Sequence, residues 1–456
     1  MAKTLVNDIR IVISIFLVTL LLFLAFVIPS MIGSTHLGAT DISAEKSTVT
    51  LSAMLTDLTE KGRWEMLIGN ALQELKSNHP ETNIKMAYFQ SPLNQTRDEI
   101  LKALTDQTPI DLVSVDQIWL GEFAQKGLLT DLTALTDSWG RSSDWYQENW
   151  DGGAYNKKVY GIWAWTDARG IWYWKDILAR TGIDPYSLRT WDGYIASAKR
   201  LNSALEKDGI EGAILFDVNY SPDLWYPYLW MLRGDILEYK QGHPSKGSYW
   251  FPIYNSTKGV KALTFIKDQV DAGIKPMTFR GVSLDKEFVN RKFATMISGS
   301  WIPGFFPRTE WPNLEKELGF IPMFPVPTKV TQNATMMGGW ELSIPVTSKH
   351  KELAWELITI MLKPKILAPW LEKYGYLPTQ QSIGEGRMMN ATKSKYPYYD
   401  QILPMLFFGH HRPNIPEYPA IAEHIREAIQ EVSYGKKEPQ QALEDAARKS
   451  AHVLGW

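Results

Sequence analysis

The chain has 456 residues, long for one hydrophobic core and suited to two lobes. Lys and Arg total 48 against 50 Asp and Glu, a formal net charge of −2, so the basic footprint of a nucleic-acid binder is missing. There is no cysteine, which removes disulfides, thiolate metal sites, cysteine nucleophiles and any lipid tether through an N-terminal cysteine.

Ile11 to Ile28 is an uncharged apolar run, broken only by Ser14 and Thr19. As a helix it would span about 27 Å, close to the hydrocarbon thickness of a bilayer. Lys3 and Arg10 precede it and no Lys or Arg follows until Lys46, so the positive-inside bias leaves the N-terminus in the cytoplasm. A cleaved signal peptide is the competing reading, although its apolar region is usually about 7–15 residues. Residues 1–29 are therefore expected to be a single-pass anchor or a signal, and 30–47 a small, polar linker. Sequons at Asn94, Asn219, Asn255, Asn333 and Asn390 agree with an outside location and a glycoprotein.

Thr48 to Met54 alternates as a strand, and Trp64, Leu67, Ile68, Ala71, Leu72 and Leu75 recur at helical spacing. Ile84 to Phe89 predicts a second strand, Ile100, Leu101 and Leu104 a second helix, and Ile110 to Val115 a strand buried on both faces. Strands alternating with helices predict an α/β lobe with ligand groups at the carboxyl ends of the strands. Asp116 stands at such an end and Trp119 lies one turn beyond.

In the middle of the chain, Ile177 to Arg180, Tyr194 to Leu205 and Val260 to Val270 read as helices, and Gly212 to Phe216 and Phe293 to Ile297 as strands. Phe320 to Pro327 is proline-rich and extended, a crossing between lobes. Leu342 to Val346 reads as a strand and Glu352 to Leu362 as a helix punctuated by Pro364. Two helices end the chain, one with Ile421, Ile425, Ile429 and Val432 on one face, the other opening at Pro439.

Aromatic residues are 12% of the chain, with 19 Trp, 20 Tyr and 17 Phe. They either fill a large core or furnish flat platforms for the C–H faces of a sugar. No phosphate-cradling glycine loop and no metal-spaced histidine cluster is present, and no cofactor is expected.

Seven blocks then carry a resemblance, in order along the chain. They include TPIDLVSVDQIWLGEFAQKGLLTDLT (108–133), KKVYGIWAWTDARGIWYWKDIL (157–178), RKFATMISGSWIPG (291–304), GGWELSIPVTSKHKELAWELITIML (338–362) and the segment from RPNIPEYP onward (412–449). With these the chain resembles the sugar-binding, maltose/trehalose-type solute-binding proteins of ABC importers. The resemblance implies an α/β, two-lobed periplasmic-binding-protein-like fold with a ligand cleft between the lobes. It allots 48–164 and 322–375 to the first lobe and 165–321 and 376–456 to the second. It also implies a monomer that captures a sugar by hinge closure and delivers it to permease subunits with their cytoplasmic ATPase. It implies no enzymatic activity.

Positions matching the family's ligand contacts are Asp116, Asp167, Trp301, Gly339 with Trp340, and Arg412. Carboxylates accept sugar hydroxyls, and glycines let a ring or backbone approach closely. Trp119, Trp165, Arg169 and Trp225 join them from context. For each tryptophan, core packing is the alternative; for Asp116 it is a helix cap, and for Asp167 with Arg169 a surface ion pair. Where the family commonly has an aromatic pair followed by Asn, Lys and Asp, this chain has Trp172-Tyr173-Trp174-Lys175-Asp176. Two other functions stay open. A surface glycoside hydrolase would draw an acid pair from Asp116, Asp167 and Glu341, and a binding protein for a non-sugar solute would need more charged partners.

Overall fold

The computed structural model describes residues 46–456 except 57–62, 92–95, 214, 219–220, 244–246, 275, 278–281, 307–309, 328–331 and 387–397. The apolar run at 11–28, its linker up to Glu45, and the sequons at Asn94, Asn219 and Asn390 fall outside the described residues. Among the described residues no helix is long and apolar enough to cross a membrane.

Among the described residues, nine strands build the two larger sheets: β1 (Ser47–Thr56), β2 (Thr82–Ser91), β3 (Leu112–Asp116), β4 (Ile162–Trp163), β5 (Arg169–Trp174), β6 (Glu211–Ala213), β7 (Phe293–Gly299), β8 (Leu318–Ile321) and β9 (Trp340–Ser343). The first sheet has the order β2-β1-β3-β9-β4, the second β8-β5-β7-β6. In the first, β1 is parallel to β2 and β3, while β9 runs antiparallel to β3 and pairs Trp340 with Asp116. Strand β3 explains the unbroken apolar run seen in the sequence. Leu112 enters the larger core, whereas Val113 and Val115 enter a second cluster with Ile100, Leu104 and Phe123, so both faces of the sheet are covered.

Helices close over these sheets where the local chemistry permits. Thr190 caps the helix Trp191–Leu205 by accepting from Gly193 N at 3.2 Å, and Pro439 opens the helix Pro439–Val453 in the first turn. Pro364, read above as an ending, begins a further helix, Pro364–Tyr374, because a proline costs nothing where no N–H is needed. The sequence reading also passes over the antiparallel hairpin Leu237–His243 with Gly247–Pro252 and the strand Arg169–Trp174. In the latter, four of six residues are buried, so no alternation marks it.

The chain passes between the sheets at 164–168, leaves the second sheet after Ile321 to re-enter the first at Trp340, and approaches again near Leu377. These segments bond to one another. Thr166 and Leu377 exchange backbone hydrogen bonds of 2.9 and 3.0 Å, and Gly338 O accepts from Asp167 N at 3.2 Å and from Thr166 Oγ1 at 3.0 Å. The Phe320–Pro327 stretch divides accordingly: its first residues complete β8, and Val326 bridges Thr190.

Candidate functional site

The site is built where strand ends meet the crossing segments. Asp116 closes β3, and its extended backbone (φ −67°, ψ 137°) makes it the cap of the helix Gln117–Gln125, with Oδ1 accepting from Ile118 N at 3.3 Å. The same oxygen accepts from Arg412 Nη2 at 3.2 Å, while Arg412 Nη1 donates to Asp223 at 3.0 Å. Arg412 is 3% exposed, and its Nε has no partner among the described residues. Burial works against its charge, but Asp223 and Asp116 outweigh that and hold its pKa above the usual value. Burial raises the Asp116 carboxyl, with Arg412 opposing and the nearby Asp223 and Asp167 reinforcing. Gln117 donates to the Arg412 carbonyl at 2.9 Å, and Asn414 accepts from Gly121 N at 2.8 Å, so the 412–414 segment is tied onto this helix.

Asp167 lies in the first crossing and is buried. Arg169 Nε donates to its Oδ1 at 3.3 Å, and burial raises this carboxyl against the pull of Arg169 and Arg412. The ion pair read above as a possible surface feature is therefore an interior one. A Cβ at Gly338 would fall 2.6 Å from Asp167 Oδ2, and one at Gly339 would fall 2.3 Å from the Trp165 carbonyl. Bare backbone at both positions is what allows the two crossings to touch.

The aromatic residues divide. Trp340 is buried and meets the half-buried Trp119 edge to face, ring centroids 5.5 Å apart. The half-buried Trp301 carries the Arg169 guanidinium 5.3 Å from its ring centroid. Trp165 stacks on Tyr376 at 4.0 Å, and Trp225 is wholly buried, its Nε1 without a partner among the described residues. The structure thus links Asp116, Trp119, Trp340, Arg412, Asp167, Arg169 and Trp301 through direct contacts or shared charge. Trp165 reaches the group through its backbone at Gly339, and Trp225 through its position two residues after Asp223.

Asp223 and Asp285 were not legible in the sequence. Asp223 lies 189 residues from Arg412, and no spacing marks a partner so remote. Asp285, on the helix Val282–Val289, accepts from Trp301 Nε1 at 2.8 Å. Glu341, weighed above as half of an acid pair, is fully buried; it accepts from Trp163 Nε1, and burial pushes its carboxyl far up.

This arrangement can accept hydroxyls on carboxylates, donate to oxygens from two guanidiniums, and offer ring surface to C–H groups. Residues 58–367, more than half of the chain, match the profile of the bacterial extracellular solute-binding proteins. The chain belongs to that family. Its relatives include a Brucella abortus chain named only as a binding protein, 25% identical over 373 residues (78% of this chain, 84% of the other). A diacetylchitobiose-binding protein of Streptomyces coelicolor is 22% identical over 347 residues, covering 76% of this chain and 77% of the other. Among solved structures, a maltose-bound protein of T. maritima superposes with a TM-score of 0.74 at 20% identity, covering 90% of this solute-binding chain and 100% of that one. The two-lobed fold is common to both.

Proposed function

We propose that this solute-binding protein captures a sugar outside the cell and delivers it to the permease of an ABC importer. The observation that carries this reading is the meeting of paired carboxylates and guanidiniums with Trp119, Trp340 and Trp301 where the crossing segments bond. Neutral polyols need that combination of directed polar partners and ring surface. The relative that binds diacetylchitobiose and the maltose-bound structural neighbour support a carbohydrate ligand. Asp116, Trp119, Asp167, Arg169, Trp301, Gly339, Trp340 and Arg412 form the contact set, with Trp165 and Trp225 supporting it. Residues 48–164 with 322–375 act as one lobe and 165–321 with 376–456 as the other, closing on the ligand by a hinge at the crossings.

The protein is a monomer held at the cell membrane by residues 11–28, the family's extracellular role agreeing with a domain outside. Of the two described sequons, Asn255 is exposed and open to glycosylation, whereas Asn333 is engaged through its side chain with Ala334 N and Pro322 O.

A thermal-shift screen against mono- and oligosaccharides tests the main reading. A ligand at about 100 times its Kd adds roughly 2.7 kcal/mol to stability. Sugar release at a catalytic rate would point instead to a hydrolase, and a panel without any shift would remove the sugar. Membrane fractionation with and without residues 1–29 tests the anchor.

A further inference from the structure

The helix Val282–Val289 carries nothing that the sequence singles out, yet it supplies a buried carboxylate to the site. Asp285 is 8% exposed, and its two oxygens serve different partners. Oδ2 accepts from Trp301 Nε1 at 2.8 Å, and Oδ1 accepts from Ser298 Oγ at 2.8 Å. Ser298 belongs to β7, which turns through Gly299 and Ser300 into Trp301. A Cβ on Gly299 would fall 2.0 Å from Cζ3 of the Trp301 ring, so the indole lies across bare backbone. Glycine makes room for the ring, and Asp285 fixes its rotation about that backbone.

The fixed ring also meets a charge. It carries the Arg169 guanidinium, and Arg169 Nε donates to Asp167 Oδ1 at 3.3 Å. A continuous line therefore runs from Asp285 through Trp301 and Arg169 to Asp167, whose backbone N–H bonds Gly338 O at 3.2 Å. Removing its first member frees the indole to turn and takes away the surface on which Arg169 rests.

We propose that Asp285 is a positioning residue for sugar capture, orienting Trp301 and through it Arg169 without itself touching the ligand. The ligand in this inference comes from the function proposed above; the geometry does not depend on it. Burial pushes the Asp285 carboxyl up to about 6, against the hydrogen bonds from Trp301 and Ser298 and the charge of Arg169. Lys286 and Glu287 are its charged neighbours on its own helix. An amide reproduces both contacts, because its carbonyl accepts from the indole and its NH2 donates to the Ser298 hydroxyl. Alanine reproduces neither.

The experiment has one arm without ligand and one with it. The Trp301 indole N–H resonance is assigned by its loss in Trp301→Phe. It should titrate with a midpoint near pH 6 in the parent, stay flat in Asp285→Asn, and move or broaden in Asp285→Ala. Calorimetry with maltose, diacetylchitobiose and arabinotriose should show Asp285→Ala about 10-fold weaker for whichever sugar binds the parent, and Asp285→Asn within about threefold. The double variant Asp285→Ala/Trp301→Phe should bind no more weakly than Trp301→Phe alone. An unmoved indole resonance with unchanged affinity in Asp285→Ala would overturn the proposal. So would equal loss in Asp285→Asn and Asp285→Ala, which would mean that the charge meets the sugar directly. If no sugar binds the parent, the proposed function fails and the indole resonance alone decides the positioning role.

Discussion

Arg412 and Asp116, 296 residues apart, form an ion pair of 3.2 Å in which the arginine side chain is only 4% exposed. The pair joins the carboxyl end of β3 to the segment ahead of the helix Tyr418–Ser433, and Asp223 completes it from the other side at 3.0 Å. A buried guanidinium shared by two carboxylates is costly to break, because each partner is left charged and poorly solvated.

Arg412→Met should therefore destabilise the protein by about 3–5 kcal/mol, read as a lower urea midpoint at unchanged slope. Exchanging all three residues for apolar side chains should recover much of that loss. A single variant as stable as the parent would show that the triad is not intact in solution.

Trp301→Ala and Trp340→Ala should each weaken sugar binding by about 10- to 100-fold, the cost of deleting a stacking ring. Their stabilities should separate. Trp340 is 4% exposed against Trp119, so its truncation leaves a cavity and costs about 3–5 kcal/mol. Trp301 is partly exposed and loses less, which makes it the cleaner probe in calorimetry.

Stability should depend on pH through Asp285. Its carboxyl rises from 3.8 in the unfolded chain to about 6 when folded, so the native state holds the proton more tightly. The stability this group contributes is complete below pH 3.8 and lost as pH rises through about 6. A gap of about two units is worth roughly 3 kcal/mol. Asp285→Asn should exceed the parent by up to that amount at pH 7.5, and the difference should vanish near pH 4. Urea unfolding at the two pH values measures it, and a difference independent of pH would contradict it.

Two glycines should respond oppositely to alanine. At Gly339 the new methyl would stand 2.3 Å from the Trp165 carbonyl and 3.1 Å from the Trp163 ring, so Gly339→Ala should cost about 1–3 kcal/mol. Gly69, inside the helix Arg63–Asn78, has nothing within 4 Å of such a methyl, and Gly69→Ala should add roughly 1 kcal/mol. Thermal melts of the two variants decide it.

Local chemistry made many elements readable in the sequence. The helix read from Trp64 to Leu75 is Arg63–Asn78, the strand at Phe293 to Ile297 is Phe293–Gly299, and Pro439 opens its helix as read. Periodicity and caps act within a few residues, so these survive folding with shifts only at their ends. The strand expected at Leu342 to Val346 instead begins at Trp340, because pairing with Asp116 on β3 extends it backward. Ladder pairing is not a local property.

By itself the sequence determined the α/β alternation, the missing cysteines, the apolar run near the N-terminus, and Asp116 as a group at a strand end. Only the tertiary structure decided who partners whom: Asp223 with Arg412, Asp285 with Trp301, and Gly338 against Asp167. The physical reason is range. Capping and amphipathic patterning are set by neighbours along the chain, whereas a buried charge is satisfied by whatever the fold brings within about 3 Å. The two carboxylates that complete these contacts, Asp223 and Asp285, sit in stretches whose local pattern carries no trace of that role.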